Sequence, residues 1–197
     1  MYKKIFIVLI IFLAVVGLIF LLAEKKTKTA EDQSGDNGSF SFKTAVGQKA
    51  PDFTLPDING NNIMLSGLSG KNVILFFNEG LMCYPACLDQ VVELSKDEKL
   101  NNEETVSFSI VADSPKNWIK AQKDLPYLAG AKVLFDSGAQ ISRVYDTLKL
   151  QSSMHKGLYP GHTYFLIDKD GIVRFTLDDP YMGIRNDELV KEIEKLK

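Results

Sequence analysis

Cysteine occurs only twice in the 197-residue chain, at Cys83 and Cys87, and histidine only twice, at His155 and His162. All thiol chemistry must therefore rest on one pair of residues four apart. Neither sign of charge is in marked excess. The formal net charge is -2, and no basic stripe interleaved with aromatics is present, which argues against a nucleic-acid surface. Internal repeats and sustained heptads are missing, so solenoids and long coiled coils are excluded. The 45% hydrophobic content suits one globular domain with extra segments.

One long apolar run is present. Residues 5–23 are uninterrupted by charge, with Lys3 and Lys4 before them and Glu24, Lys25 and Lys26 after. Nineteen apolar residues are enough to span a bilayer as a helix. No cysteine directly follows, so a lipoprotein anchor is excluded, and Leu21-Leu22-Ala23 is a poor small-x-small cleavage site. The expectation is a single-pass transmembrane anchor over residues 1–24, a polar flexible linker over 25–45 and one domain over 46–197. A single amino-terminal span with a large domain behind it favours an extracytoplasmic domain, where a dithiol can cycle with partner disulfides. Phe40 and Phe42 alternate with serine and allow a short strand inside the linker.

The domain is organised around NVILFFNEGLMCYPACLDQVVEL, residues 72–94. Val73 to Phe77 form a short apolar run, Asn78-Glu79-Gly80 a turn, and Leu88, Val91, Val92 and Leu94 recur with helical spacing. The pattern predicts buried strand, loop, cysteine pair and helix. Pro85 is tolerated only in a first helical turn, which predicts a helix starting near Cys83 or Tyr84. Free amides and the helix dipole would then stabilise a thiolate at Cys83. Cys87, one turn on, shares that face, so the two sulfurs can either form a disulfide or share a soft metal ion. Glu79 reads equally as a proton acceptor and as a solvated turn residue. Asp89 and Gln90 read as exposed positions of the first helical turns.

Around this stretch, residues 46–65 suggest a hairpin closed by the turn cluster 57–62. Residues 105–111 and 132–135 read as strands. A helix starts at Asp113-Ser114-Pro115 and carries Trp118 as a partly buried packing residue. Residues 139–148 read as a helix with Ile141, Val144, Tyr145 and Leu148 on one side. Residues 151–161 have no period. A strand over 163–167, a turn at 168–171 and a returning strand over 172–177 lead to a closing helix over 185–197. Such alternation predicts an α/β fold with a mixed sheet and helices on both faces.

The run VGQKAPDFTLPDINGNNIMLSGLSGKNVILFF resembles the opening of the redoxin group. That group comprises peroxiredoxins of the alkyl hydroperoxide reductase/thiol-specific antioxidant type and membrane-anchored thioredoxin-like proteins. The shared elements are GxxAPDFTL, a Gly-Lys before the central strand, cysteine directly after it, and a late FLID-x-x-G hairpin from Phe165 to Gly171. The resemblance covers nearly all of residues 46–197. It implies a thioredoxin-like, peroxiredoxin-type mixed sheet with flanking helices, and a thiol-dependent oxidoreductase. Its partners would be a protein thiol or disulfide, or a peroxide, with no cofactor. The chain departs from thioredoxins in having three residues between its cysteines. It departs from peroxiredoxins in lacking Pro-x-x-x-Thr-x-x-Cys. Counting back from Cys83 meets Gly80 and Phe76; counting back from Cys87 meets Tyr84 and Gly80.

By the same resemblance His162, six residues before Asp168, faces the cysteines. It would raise the thiolate fraction as an imidazolium, carry a proton or ligate a metal. The implied catalytic set is Cys83, Cys87 and His162, with Cys83, the more exposed and more amino-terminal cysteine, as nucleophile. The alternative is a copper chaperone similar to the Sco type, with Cys83, Cys87 and His162 as ligands to copper and Met82, Met154 and His155 nearby. That type's Cys-Pro-x-x-Cys-Pro pattern is absent, since Tyr84 and Leu88 stand at the proline positions.

Overall fold

The computed structural model describes residues 40–196. The apolar run expected to be a membrane anchor, and the linker up to residue 39, lie outside the described residues. Among the described residues no helix is long and apolar enough to cross a membrane.

Asn72–Asn78 forms the central strand β3, after a small antiparallel hairpin of β1 (Thr54–Pro56) and β2 (Asn62–Met64). It is buried on both faces, as its continuous apolar run requires. Helix α1 (Ala86–Lys96) follows, then β4 (Thr105–Val111), α2 (Pro115–Asp124) and β5 (Val133–Phe135). A short α3 (Gln140–Val144), β6 (Thr163–Ile167), β7 (Val173–Asp178) and α4 (Asn186–Glu194) complete the chain. The five-stranded sheet has the order β5-β4-β3-β6-β7. β3 is parallel to β4 and β4 to β5, whereas β6 is antiparallel to both β3 and β7. The mixed sheet expected from the sequence is present.

The side-chain alternation of β3 divides the core in two. Ile74 and Phe76 join Tyr164, Leu166, Leu88, Val91, Trp118 and Leu189 on the face covered by α1, α2 and α4. Val73, Leu75 and Phe77 join Phe165, Tyr145 and Phe53 on the other.

Several local expectations change. Phe40 and Phe42 form no strand. Phe42–Thr44 is a turn of 3-10 helix, and both rings pack on Phe165, with Phe40 also 5.3 Å from Tyr145. These residues of the expected linker therefore belong to the domain. Trp118 is fully buried, not partly. The helix expected over 139–148 stops at Val144, which is exposed, because Asp146 turns the backbone left-handed (φ 57°). Ser114 caps α2 by accepting from the amide of Asn117, with Pro115 behind it as expected.

Candidate active site

β3 ends at Asn78, whose side-chain oxygen accepts from the amide of Gly80 and folds the chain back. Gly80 has a φ of 60° and lies against Asp113, where a Cβ would collide with the carboxylate. Only glycine fits such a left-handed, closely approached position. Asp113 accepts from the amide of Leu81, and burial raises its carboxyl above the usual range despite that bond. A 3-10 turn, Gly80–Met82, then delivers Cys83.

Helix α1 begins at Ala86, not at Cys83 or Tyr84, and Pro85 occupies the capping position. The Tyr84–Pro85 peptide is cis. Cys83 therefore stands ahead of the helix, and Cys87 sits in its first turn. The dipole argument made for Cys83 transfers to Cys87. The amide of Cys87 reaches back to the carbonyl of Cys83 at 3.0 Å. This places the two residues with Cα atoms 5.3 Å apart, and their sulfurs are joined in a disulfide. Both are buried, Cys83 at 3% and Cys87 at 1% exposure, so Cys83 is hardly the more accessible of the two.

His162 lies one residue before β6, and its Nδ1 is 3.6 Å from Sγ of Cys87. Its Nε2 is 2.9 Å from the hydroxyl of Tyr164. Phe76 and the imidazole meet in a T-shaped contact with ring centroids 4.5 Å apart, and the Phe76 ring stacks on Tyr164. Burial pushes the His162 pKa down to about 4, against smaller upward pulls from Asp179, the Gly183 backbone and Asp178. The ring is thus neutral at neutral pH, which speaks against the imidazolium among the three roles considered for it. Burial also raises the Tyr164 hydroxyl well above its ordinary value, so it keeps its proton.

Glu79 is no solvated turn residue: it is 2% exposed. Its carboxylate accepts from the amides of Met154 and His155 and pairs with Nδ1 of His155 at 2.7 Å. The aperiodic 151–161 segment is thereby tied to the end of β3. Gln90, expected to be exposed, is fully buried. It bonds Asn186 and accepts from the amide of Arg185, which ties α1 to the last loop. Asp89 remains exposed, as expected.

The sequence reading missed that last loop. Met182 has its Sδ 3.7 Å from Sγ of Cys83 and a left-handed backbone, φ 51°. Asp179 organises the loop by accepting from the amides of Tyr181 and Gly183 and from both forks of Arg185 at 2.7 Å. Burial alone would raise the Asp179 carboxyl; Arg185 and these amides outweigh it and hold it below the usual range. No cysteine motif marks Met182, so only the fold reveals it. Tyr164 was not singled out either; its place two residues after His162 is the signal that could have found it.

The copper alternative meets a different geometry. The two sulfurs are bonded to each other. Among the described residues no three His, Cys, Asp or Glu side chains are grouped to hold a metal. Met82 and Met154 are exposed.

The fold and the cysteine pair define a thioredoxin-like protein with a dithiol–disulfide centre at the end of its central strand. Residues 46–176 match the AhpC/TSA family. The chain belongs to that family. Peroxiredoxin Bcp of Bacillus subtilis is 30% identical over 131 residues, 64% of this chain and 80% of that protein. Thiol-disulfide oxidoreductase ResA of Bacillus thuringiensis subsp. konkukian is 32% identical over 136 residues, 66% of this chain and 68% of that protein. Among solved structures, peroxidoxin BcpB of Mycobacterium tuberculosis superposes with a TM-score of 0.63 at 21% identity, covering 78% of this chain and 98% of that one. The reduced 2-Cys peroxiredoxin of Plasmodium vivax gives 0.67 at 22% identity, covering 78% and 82%. At these identities the structural likeness speaks for the fold.

Proposed function

We propose that this protein is a thiol-dependent oxidoreductase that exchanges its Cys83–Cys87 disulfide with thiols and disulfides of a partner protein. The observation that carries the reading is the disulfide itself, closed within one helical turn at the end of β3 beside His162. Both redox states need only residues of this short stretch. When a partner disulfide is reduced, the Cys83 thiolate attacks one of its sulfurs, the other partner sulfur leaves as a thiolate, and the Cys87 thiolate then resolves the mixed disulfide by attacking Sγ of Cys83. The partner leaves as a thiolate and the internal disulfide re-forms. The relatives named as peroxiredoxins support a second entry to the same cycle. A peroxide would oxidise one thiolate to a sulfenic acid, which the other thiol condenses to the disulfide with loss of water. Copper handling gains no support from the relatives.

The apolar run at residues 5–23 supports an anchored protein with its domain on the extracytoplasmic side.

Turnover separates the readings. The protein should catalyse reduction of insulin disulfides by dithiothreitol, with Cys83→Ser inactive and Cys87→Ser accumulating a mixed disulfide on Cys83. Consumption of hydrogen peroxide faster than that of the disulfide substrate would make the peroxidase entry the main one. Full turnover in Cys83→Ser would refute both.

A further inference from the structure

Tyr164 is fully buried, and the only hydrogen-bond partner its hydroxyl has among the described residues is Nε2 of His162, at 2.9 Å. A buried, protonated phenol must place its hydrogen somewhere. It donates to Nε2, so Nε2 is the acceptor nitrogen of a neutral imidazole. The ring proton then resides on Nδ1. That nitrogen is 3.6 Å from Sγ of Cys87, within reach of an N–H to sulfur bond. Tyr164 stacks on Phe76, and Phe76 meets the imidazole in a T-shaped contact, which holds both rings.

We infer that Tyr164 is a positioning residue that locks His162 in its Nδ1–H form, so that this N–H stabilises the thiolate of Cys87 whenever the disulfide opens. The two sulfurs are thereby made unequal. An incoming thiolate attacks Sγ of Cys83, the S–S bond breaks, and its electron pair passes to Sγ of Cys87. A mixed disulfide forms on Cys83. No proton is transferred in that step, because the new thiolate accepts a hydrogen bond from a histidine that stays neutral. The first-turn position of Cys87 in α1 acts in the same direction.

The charges facing the pair do not override this. Asp179 and Arg185 form an ion pair beside His162, the Gly183 backbone acts on the same ring, Asp178 lies further out, and Glu188 acts on Tyr164. The carboxylates favour a protonated imidazole, yet burial outweighs them. The Nδ1–H therefore arises from the tautomer that Tyr164 selects, not from an imidazolium.

The inference rests on the dithiol reading above but is tested without a protein substrate. The full-length oxidised chain is equilibrated with glutathione, and the adduct is located by peptide mass spectrometry. The equilibrium constant for opening is compared in wild type, Tyr164→Phe, His162→Leu and the double variant. The expected adduct is on Cys83. Tyr164→Phe, which keeps the stacked ring, should lower the opening constant about tenfold. The same change should have no further effect where His162 is already leucine. His162→Asn, whose amide can donate from the position of Nδ1, should recover most of the loss seen in His162→Leu. An adduct on Cys87, or an opening constant that Tyr164→Phe leaves within twofold of wild type, would overturn the inference. Should these shifts appear in a protein with no disulfide reductase activity, the proposed function fails while the role of Tyr164 stands.

Discussion

Nδ1 of His162 stands 3.6 Å from Sγ of Cys87, whereas Sγ of Cys83 has the thioether of Met182 at 3.7 Å. The two halves of one disulfide thus meet different chemistry. One sulfur faces a polar ring inside the protein, and the other is covered by an apolar sulfur from a surface loop.

The buried imidazole makes stability depend on acid. His162 is held near pKa 4 in the fold against 6.5 for a free side chain. Below 6.5 the unfolded chain takes up a proton that the folded chain refuses. This contribution to stability is therefore complete above about pH 6.5, falls as pH drops, and levels off below about 4. Its size is on the order of 3 kcal/mol. Urea unfolding from pH 7 to pH 4 should show a smaller loss for His162→Asn than for wild type. Equal losses would mean that the ring is not buried neutral.

Met182 should slow access to the disulfide. Cys83 is only 3% exposed although it lies on a loop, and Met182 is in contact with its sulfur. Met182→Ala should speed reduction by glutathione by roughly tenfold, equivalent to ~1.4 kcal/mol of barrier. Stopped-flow measurement of disulfide opening reads this directly. A rate unchanged by the substitution would show that thiols approach from elsewhere.

Glu79 should matter for the loop more than for the sulfurs. Its carboxylate holds the amides of Met154 and His155. Glu79→Ala removes that acceptor and leaves these donors without it, at a cost of about 2–3 kcal/mol. Hydrogen exchange at Met154 and His155 should accelerate while the amides of β3 stay protected. Protection retained at both loop amides would show that Glu79 is not their anchor.

The fold was legible because its signals are local. The apolar run of β3, the alternation of β4, the Ser114-Pro115 start of α2 and the turn at Asp168–Gly171 each specify one element. Cys83 and Cys87 were legible as a pair, since no other cysteine exists. The boundary of α1 was not, because a proline suits both a cap and a first helical position. The burial of Glu79 and Gln90 was hidden for another reason. Their partners, His155, Arg185 and Asn186, lie 75 or more residues away in sequence. Spacing along the chain carries no record of such contacts. Met182 was invisible for the same reason, and Tyr164 was hidden because nothing in the apolar run of β6 marks one residue above its neighbours.

The most direct test of the central claim is a redox titration of the full-length chain in mixtures of oxidised and reduced dithiothreitol, with free thiols alkylated and counted by mass spectrometry. The account predicts that Cys83 and Cys87 become alkylated together, in one reversible two-electron transition. Cysteines that remain unreactive across the whole range, or that titrate independently of each other, would contradict it.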